Sequence, residues 1–545
     1  MFYYEVFMYT RFTTSKKSKH PTLQIVEGKR EGKKVKQKII ASFGVVKNDK
    51  DKRRLVKFAE NFIRKLQEND YPIEENFSPS HLLHKKTVYD GFSLATERLM
   101  ELTGFSQVVQ KAQGKKSFDL TKIVNLIIAQ RLDLPSSKLR TYEKQQEHGF
   151  QEIELQHLYR TMDVLEPLSS DIQKQAFTTL CAYSDASVEC FFFDVTTLYF
   201  ESTFQDELKN FGFSKDQKHH SVQIVLALVV DSQGIPIAYE VFEGNLAETK
   251  TLIPVLKALK DHFSIKTVTV VCDRGLASKQ NIQSLQDAEF NFVIATKLKS
   301  ISKKIKINDL SHYKPLPGQE NVPEEKMIVS RTMEHPQYSN TTLIVTYSPK
   351  RAEKDKKDRE RLLEKLQEKL SHTGSVKKVI SNGGYKKYTD VKKGSLITLN
   401  QKAIEEDATW DGFHGIAVSN NANLTASDAL LRYRDLWRVE EAFRIAKSTL
   451  KTRPIFHWKP HRIRGHILLC FMTLYFERFL EMLLRKNNYA LTPDKIRHAL
   501  LGVHTIYFEN KNSTKEGKMK SSLPENAVKI FETLNISTQR LVAIN

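Results

Sequence analysis

Val188-Glu-Cys-Phe-Phe-Phe-Asp194-Val-Thr-Thr197 and, further on, Thr267-Val-Thr-Val-Val-Cys-Asp273-Arg-Gly275 are the stretches on which the fold turns. In each, aromatic and β-branched residues run into an aspartate. Short runs of this kind read as strands buried on both faces. Val188–Phe193 and Thr267–Cys272 are therefore expected to be strands that end at Asp194 and Asp273. Between them lie Val222–Val230 and Ile235–Phe242, two strand-like runs joined by the turn sequence Asp231-Ser-Gln-Gly234. Leu252, Val255, Leu256, Leu259 and Phe263 then mark an amphipathic helix. Ser278–Ala288 reads as a short helix and Phe292–Thr296 as a further strand. The order is strand, strand, strand, helix, strand, helix, strand. If the first and fourth strands are parallel neighbours, both aspartates emerge at one point, where open α/β sheets place their sites.

The chain around this segment has 545 residues, enough for about three to four domains. Hydrophobic residues make up 40% and charged residues 27%, as in an ordinary globular protein. The net charge of +21 and the pI of about 9.4 point to a polyanionic partner, and nucleic acid is the commonest. Cys181, Cys190, Cys272 and Cys470 have no CxxC spacing, which argues against a zinc site. In a chain of this length they read as reduced thiols of a cytoplasmic protein working near DNA. Met1–Thr14 is apolar but carries Glu5 and Arg11 and does not have the pattern of a secretion leader. The longest apolar run, Ile467–Phe476, is too short to span a bilayer.

Residues 1–90 are expected to form a basic DNA-binding hairpin plus a helix. Thr22–Glu27 and Val35–Phe43 flank the polar turn Gly28–Gly32, and Leu55, Phe58, Phe62 and Leu66 follow at helical spacing. Residues 91–183 are helical, with Ser117–Leu132 closed by Pro135, and read equally as a DNA-end-binding domain or as scaffold. Residues 184–297 form the first part of the core and 421–480 the second. Between these, 298–420 read as a β-rich insertion with strands at Thr342–Tyr347, Ser395–Leu399 and Gly415–Ser419. The insertion also holds a charged helix, Arg351–Leu370, whose Glu353–Lys357 and Asp355–Arg359 pairs suggest a solvated surface helix with a leucine stripe. Residues 481–545 are expected to be a helical region used for dimerisation or DNA contact.

The core resumes in one helix from about Thr425 to Leu450, opened by the capping-box pair Thr425 and Asp428. Leu436, Val439, Phe443, Ala446 and Leu450 form its buried stripe. Tyr433, Trp437, Glu440, Arg444 and Lys447 share a second edge. Trp437 reads either as core or as a surface on which an unpaired base stacks. Glu441 lies about 100° round the helix from Glu440, beside Arg434 and Arg438, as an ordinary surface ion pair. Asp231 and Asp287 read as turn and helix-end formers. His219 and His220 read as phosphate contacts or surface residues. Two strand-end aspartates and a helix glutamate are a donor set suited to hard divalent ions, which activate a nucleophile and stabilise the leaving oxygen in phosphodiester chemistry.

The element order is that of the RNase H-like fold. The stretch Tyr433-Arg-Asp-Leu-Trp-Arg-Val-Glu440-Glu-Ala-Phe-Arg-Ile-Ala-Lys447 resembles the Y-R-E-K signature of DDE transposases of bacterial insertion sequences. Tyr433, Glu440 and Lys447 match it. Leu436 stands where the signature has Arg, flanked by Arg434 and Arg438. Asp194-Val-Thr-Thr and Cys-Asp273-Arg-Gly resemble the family's two aspartate motifs, and Arg453-Pro-Ile-Phe-His-Trp458 follows as in relatives. The motifs run in order over roughly residues 15–480. The resemblance implies an α/β fold: an RNase H-like mixed sheet flanked by helices, with a β-rich insertion and a helical N-terminal region. It implies that Asp194, Asp273 and Glu440 bind two Mg²⁺ ions, with Mn²⁺ able to substitute. Tyr433 and Lys447 would hold DNA phosphate, with Arg434, Trp437, Arg438 and Arg444 on the same DNA-facing surface. The implied reaction is cut-and-paste transposition by a homodimer on terminal inverted repeats and target DNA, near the nucleoid. A nuclease of the same fold that cuts without joining, and a non-catalytic DNA-binding descendant, are the alternatives.

The charge alone generates a test. A protein making about 6–10 phosphate contacts loses roughly 10³–10⁵ in DNA affinity between 50 and 200 mM salt. Deleting residues 1–44 is expected to lower both the affinity and the slope of that salt dependence in a mobility-shift titration. An unchanged slope would show that the basic hairpin does not touch DNA.

Overall fold

A computed structural model describes residues 6–537 apart from 15–19, 32–33, 47, 50–51, 54, 58, 61–62, 64–81, 185–189, 217, 219, 264–267, 302–304, 320, 372–382, 393–395 and 511–515. The chain divides into two compact units, Met1–Thr161 with Phe479–Asn545, and Met162–Arg478.

In the first unit, β1 (Val6–Thr13), β2 (Thr22–Glu31) and β3 (Lys34–Val45) form an antiparallel sheet with β2 in the middle. The basic hairpin is present, but its strands run further than their apolar pattern suggests: Gly28–Glu31, expected in the turn, belong to β2 and pair with β3, and Gly32 lies outside the described residues. The apolar start of the chain supplies the unforeseen third strand. Arg11, which breaks the alternation there, ties the strands together by donating to Gln24 (3.1 Å) and Gln37 (2.8 Å). A second sheet joins β4 (Leu82–Val88) to the C-terminal strands Thr505–Asn510 and Glu516–Lys520. The C-terminal region, expected to be helical, thus holds a β-hairpin beside its helices Pro493–Leu501 and Glu525–Thr533. Leu23, Ile25 and Ala59 share one core with Ile506 and Phe508. Of the helical stretch that follows β4, Leu120–Asp133 is buried on nearly every face and is capped by Asp119, which accepts from the Lys122 amide.

The second unit is built on a nine-stranded mixed sheet. Helix α1 (Ser169–Tyr183) lies against its β7 edge, where Gln173 accepts from the Tyr239 amide at 2.9 Å. The chain then forms β5 (Cys190–Tyr199), β6 (Gln223–Val230), β7 (Pro236–Glu243), α2 (Leu252–Phe263), β8 (Thr269–Cys272), α3 (Lys279–Asp287) and β9 (Asn291–Thr296). This is the order read from the sequence. Beyond β9 come β10 (Lys314–Pro315), β11 (Val329–Glu334), β12 (Thr341–Tyr347), helix α4 (Pro349–Ser371), the small hairpin β13 (Thr389–Lys392) and β14 (Leu396–Leu399), and β15 (Phe413–Ser419). The sheet order is β10-β11-β12-β15-β9-β8-β5-β6-β7. The strands expected as an insertion therefore mostly continue the core sheet, through antiparallel pairing of β15 with β9. Among the described residues of this stretch, only the β13–β14 hairpin forms a separate sheet.

β5 and β8 are parallel, with Phe193 opposite Cys272. Both are buried on both faces, as their runs of Phe and Val require. Among the described residues no helix is long and apolar enough to cross a membrane.

A strap, residues 200–222, leaves β5 and returns to β6. It is pinned where Gly244 donates to the Leu208 carbonyl and accepts from the Gln223 side chain. A Cβ at Gly244 would meet the backbone oxygens of Gln223 at 1.9 Å and Asn210 at 2.5 Å. Gly244→Ala is therefore expected to cost about 1–3 kcal/mol by overpacking, read as a lowered melting temperature. A variant as stable as the parent would show that the strap is not held there.

Candidate active site

The parallel register sets Asp194 and Asp273 side by side, each one residue beyond the paired Phe193 and Cys272. They differ in setting. Asp273 follows β8 and opens the short turn Arg274–Leu276, exposed to solvent. Asp194 does not end its strand as expected. β5 continues through Val195-Thr-Thr-Leu-Tyr199, whose β-branched residues pair with β6, and this leaves the carboxylate half-buried. Burial pushes the Asp194 carboxyl up to about 6; Lys215 opposes the shift, while Glu248 and Asp273 add to it. The Lys215 ammonium stands 3.9 Å from Asp194 and 3.0 Å from Glu248, and donates to the Val195 carbonyl. Neither Lys215 nor Glu248 is conspicuous in the sequence. Glu248 sits in the polar run before α2, where it resembles a helix-start residue.

The expected single helix from Thr425 to Leu450 is broken. Thr425 and Asp428 form the capping box, and α5 (Ala426–Arg434) ends at Asp435. A new helix, α6 (Trp437–Arg444), leads into a wide π-type turn, Ile445–Thr449. Of the residues read as one edge, Tyr433, Trp437 and Glu440 still line one cavity, while Arg444 and Lys447 are directed elsewhere. The Tyr433 hydroxyl donates to Asp273 at 3.1 Å. Burial, then the Asp273 charge, raises the Tyr433 pKa, so the phenol keeps its proton. The His414 ring lies 4.9 Å from that of Tyr433. Burial pulls the His414 pKa down to about 4, helped by the Arg351 and Arg274 cations, so the imidazole is neutral at physiological pH.

Glu440 is exposed and, with Asp273, Tyr433, Arg434 and Trp437, lines a cavity of about 930 Å³. Helix α4 also lines it, through Arg351, Lys354, Lys357 and Arg361 together with Glu353, Asp355 and Asp358, which pair with Lys357, Arg351 and Arg361. The charged helix is thus more than a solvated surface. Of its expected pairs, Glu353–Lys357 forms at 2.6 Å, but Arg359 turns to grip Asp411 and leaves Asp355 to accept from the Gly412 amide. Its leucine stripe packs as expected, Leu366 against Tyr385 and Tyr388.

Trp437 is 47% exposed and is not core; the Arg438 guanidinium lies 5.1 Å from its ring centre. Arg438 also pairs with Asp435. Arg444 is exposed and pairs with Glu441. Lys447 faces the strap, 3.4 Å from Asp216, which Arg453 also holds at 3.2 Å. Leu436, at the signature's Arg position, is buried and carries no charge into the site. Glu441 is not the idle surface residue expected beside Arg434 and Arg438. It takes a 2.6 Å bond from Arg478, whose side chain is only 6% exposed. Asp231 forms the expected turn, accepting from the Gln233 and Ile235 amides, and Asp287 takes a surface bond from Gln283. His220 is exposed, and His219 lies outside the described residues.

Two adjacent carboxylates, one held up by burial beside the Lys215 cation and the other bonded by the Tyr433 hydroxyl, are a hard-oxygen pair suited to a divalent ion. Glu440 is not gathered with them. Among the described residues no group of three or more His, Cys, Asp or Glu side chains is placed to hold a metal.

The family model for the transposase DDE domain matches residues 187–476, and that for the N-terminal domain of IS1634 family transposases matches residues 10–71. No curated protein matches the chain. Among solved structures it is similar to a piggyBac transposase in a synaptic complex with hairpin DNA, at 10% identity and a TM-score of 0.37, over 76% of this chain and 80% of that one.

The Asp194 environment has a consequence for stability. Its folded value of about 6 lies above its ordinary 3.8, so the folded chain holds an extra proton between those limits. The ionisation penalty therefore grows as pH rises through about 4 to 6 and is full above 6. In metal-free protein, Asp194→Asn is expected to be more stable than the parent at pH 8, by up to roughly 3 kcal/mol. The difference should vanish near pH 4. Equal melting temperatures at both pH values would show that this carboxylate carries no burial penalty.

Proposed function

The chain belongs to the DDE transposase family, and from that premise we propose that Asp194, Asp273 and Glu440 form its metal-binding, strand-cleaving centre. As a transposase it acts on DNA, and the family works with divalent metal ions. For this chain we take the ions to be two Mg²⁺, with Mn²⁺ as a substitute. The observation that carries the reading is the β5–β8 register, which puts two carboxylates side by side, with Asp273 lining a cavity that also holds Glu440 and the charged face of α4.

Bound there, divalent ions would activate a water or a 3′-hydroxyl and offset charge on the scissile phosphate. The chain's own groups do the rest. Tyr433 fixes the orientation of Asp273 with its hydroxyl proton. Arg351, Lys354, Lys357 and Arg361 offer phosphate contacts across the cavity, positioning DNA without reading sequence. Arg434 and Trp437 border the same space. Arg438 backs the Trp437 ring, Arg444 stands exposed at the end of α6, and Lys447 lies beside the strap that carries Lys215. Neutral His414 packs against the Tyr433 ring without adding charge next to Asp273. The substrates would be terminal inverted repeats and then target DNA, handled by a homodimer because two ends must be joined together. The IS1634-type N-terminal region is the natural candidate for end recognition.

Two adjacent glutamates separate catalysis from support. Glu440→Gln is expected to abolish Mg²⁺-dependent cleavage and strand transfer while preserving end binding and the melting temperature. Glu441→Gln weakens the bond to buried Arg478, so it should cost about 1–3 kcal/mol of stability yet retain cleavage at low temperature. Full cleavage by the Glu440 variant, alongside a dead but well-folded Glu441 variant, would overturn the assignment.

A further inference from the structure

Apart from Trp437, the large aromatic side chains exposed on the second unit among the described residues are Phe204, Phe211, Phe213, Phe456 and Trp458, exposed by 61, 40, 80, 66 and 66%. The first three lie on the strap between β5 and β6. The other two lie in the loop after the wide turn. The fold brings these segments together. Phe200 bridges to Ile455, and Asn210 bridges to Gln223. Lys209, only 1% exposed, donates to the Trp458 carbonyl at 3.1 Å and pairs with Asp206 at 3.1 Å. Its ammonium lies 5.4 Å from the centre of the Phe204 ring and 5.3 Å from that of Trp458.

A buried ammonium must be compensated. Here Asp206, a carbonyl and the aromatic rings around it do so, with ring distances in the cation–π range. The same contacts fix Phe204 and Trp458 while leaving much of each ring in water. Several large aromatic rings held in water on two joined segments mark a binding surface.

The charges nearby indicate which ligand. Lys218 and Arg453 each lie 5.3 Å from the Tyr199 ring centre. Arg453 and Lys447 meet at Asp216, and the neighbouring Lys215 reaches Asp194. Aromatic rings interleaved with cations, continuous along the strap with the catalytic aspartate, match a nucleic-acid strand whose bases are free to stack. A duplex keeps its bases stacked inside and offers such rings nothing. We propose that this aromatic surface stacks unpaired bases of single-stranded DNA beside the cleavage site. The inference rests on the reading of Asp194 as part of a strand-cleaving centre.

The test uses the full chain and fluorescence anisotropy, with a mixed-sequence single-stranded oligonucleotide and a blunt duplex of equal length. Phe213→Ala combined with Phe456→Ala is expected to weaken single-strand binding by about tenfold or more. Duplex affinity should stay within about twofold. Restoring aromatic rings as Phe213→Tyr and Phe456→Tyr should recover the single-strand affinity. Binding of the single strand should also quench tryptophan fluorescence, and Trp458→Phe should remove part of that quenching. Unchanged single-strand binding in the alanine variant overturns the proposal. So does an equal loss for both DNAs. A dimer seen by light scattering in the parent and lost in the alanine variant would give the surface to a second copy instead. If the parent cleaves DNA while the variants bind single strands normally, this inference alone fails. If the parent binds neither DNA, the strand-cleaving reading fails with it.

Discussion

The parallel pairing of β5 with β8 is the constraint from which the second unit follows. Parallel neighbours need a long crossover, and β6, β7 and α2 supply it. Both strands must also be covered on both faces. Phe191, Phe192, Phe193, Val270, Val271 and Cys272 are all essentially inaccessible to solvent. Once Phe193 stands opposite Cys272, the next residue on each chain has to be an aspartate beside an aspartate. The core that fixes their separation also makes one of them costly to ionise. Lys215 reduces that cost in the metal-free chain. A divalent cation bound there, as proposed, would offset that cost further.

The core elements were legible because their signal is local. β6, β7, α2, β8, α3 and β9 lie within a residue or two of their sequence-expected bounds, since each is an apolar run cut off by turn residues. What escaped depends on distant partners. Nothing within Gly415–Ser419 says that it pairs with β9 across more than a hundred residues and so extends the core sheet. β1 looked like an apolar start because its partner strand decides its state. Asp194 seemed to end a strand because Asp commonly does. The β-branched residues after it, which pair along β6, carry the strand onward.

The site divides in the same way. The two aspartates could be singled out from residue type and position, and the β5–β8 register sets them side by side, whereas Glu440, singled out in the same way, is not gathered with them. Lys215, Glu248, His414 and the basic face of α4 could not, because their ion pairs and cavity contacts join segments far apart in the chain. Glu441 is the clearest case. Its neighbours on the helix suggest a weak surface pair, but the partner it finds is Arg478, on another helix and buried.

The break at Asp435–Leu436 changes what the spacing of Tyr433, Trp437, Glu440, Arg444 and Lys447 means. On one straight helix, periodicity alone would aim these side chains in one direction. With the helix in two pieces and a wide turn after them, each piece needs its own anchor. The Tyr433–Asp273 bond fixes the end of α5 to the sheet. The Glu441–Arg478 bond holds α6 from its other side, which leaves Glu440 facing the cavity. Asp216 receives Lys447 where the turn swings it toward the strap. A charge at position 436 would have to be buried in this arrangement, and Leu436 packs there instead. The cationic role expected of that position is thus open to groups that reach the cavity from elsewhere, Arg434 from the end of α5 and Arg351 from α4. At the break, apolar packing of Leu436 is what the buried position admits.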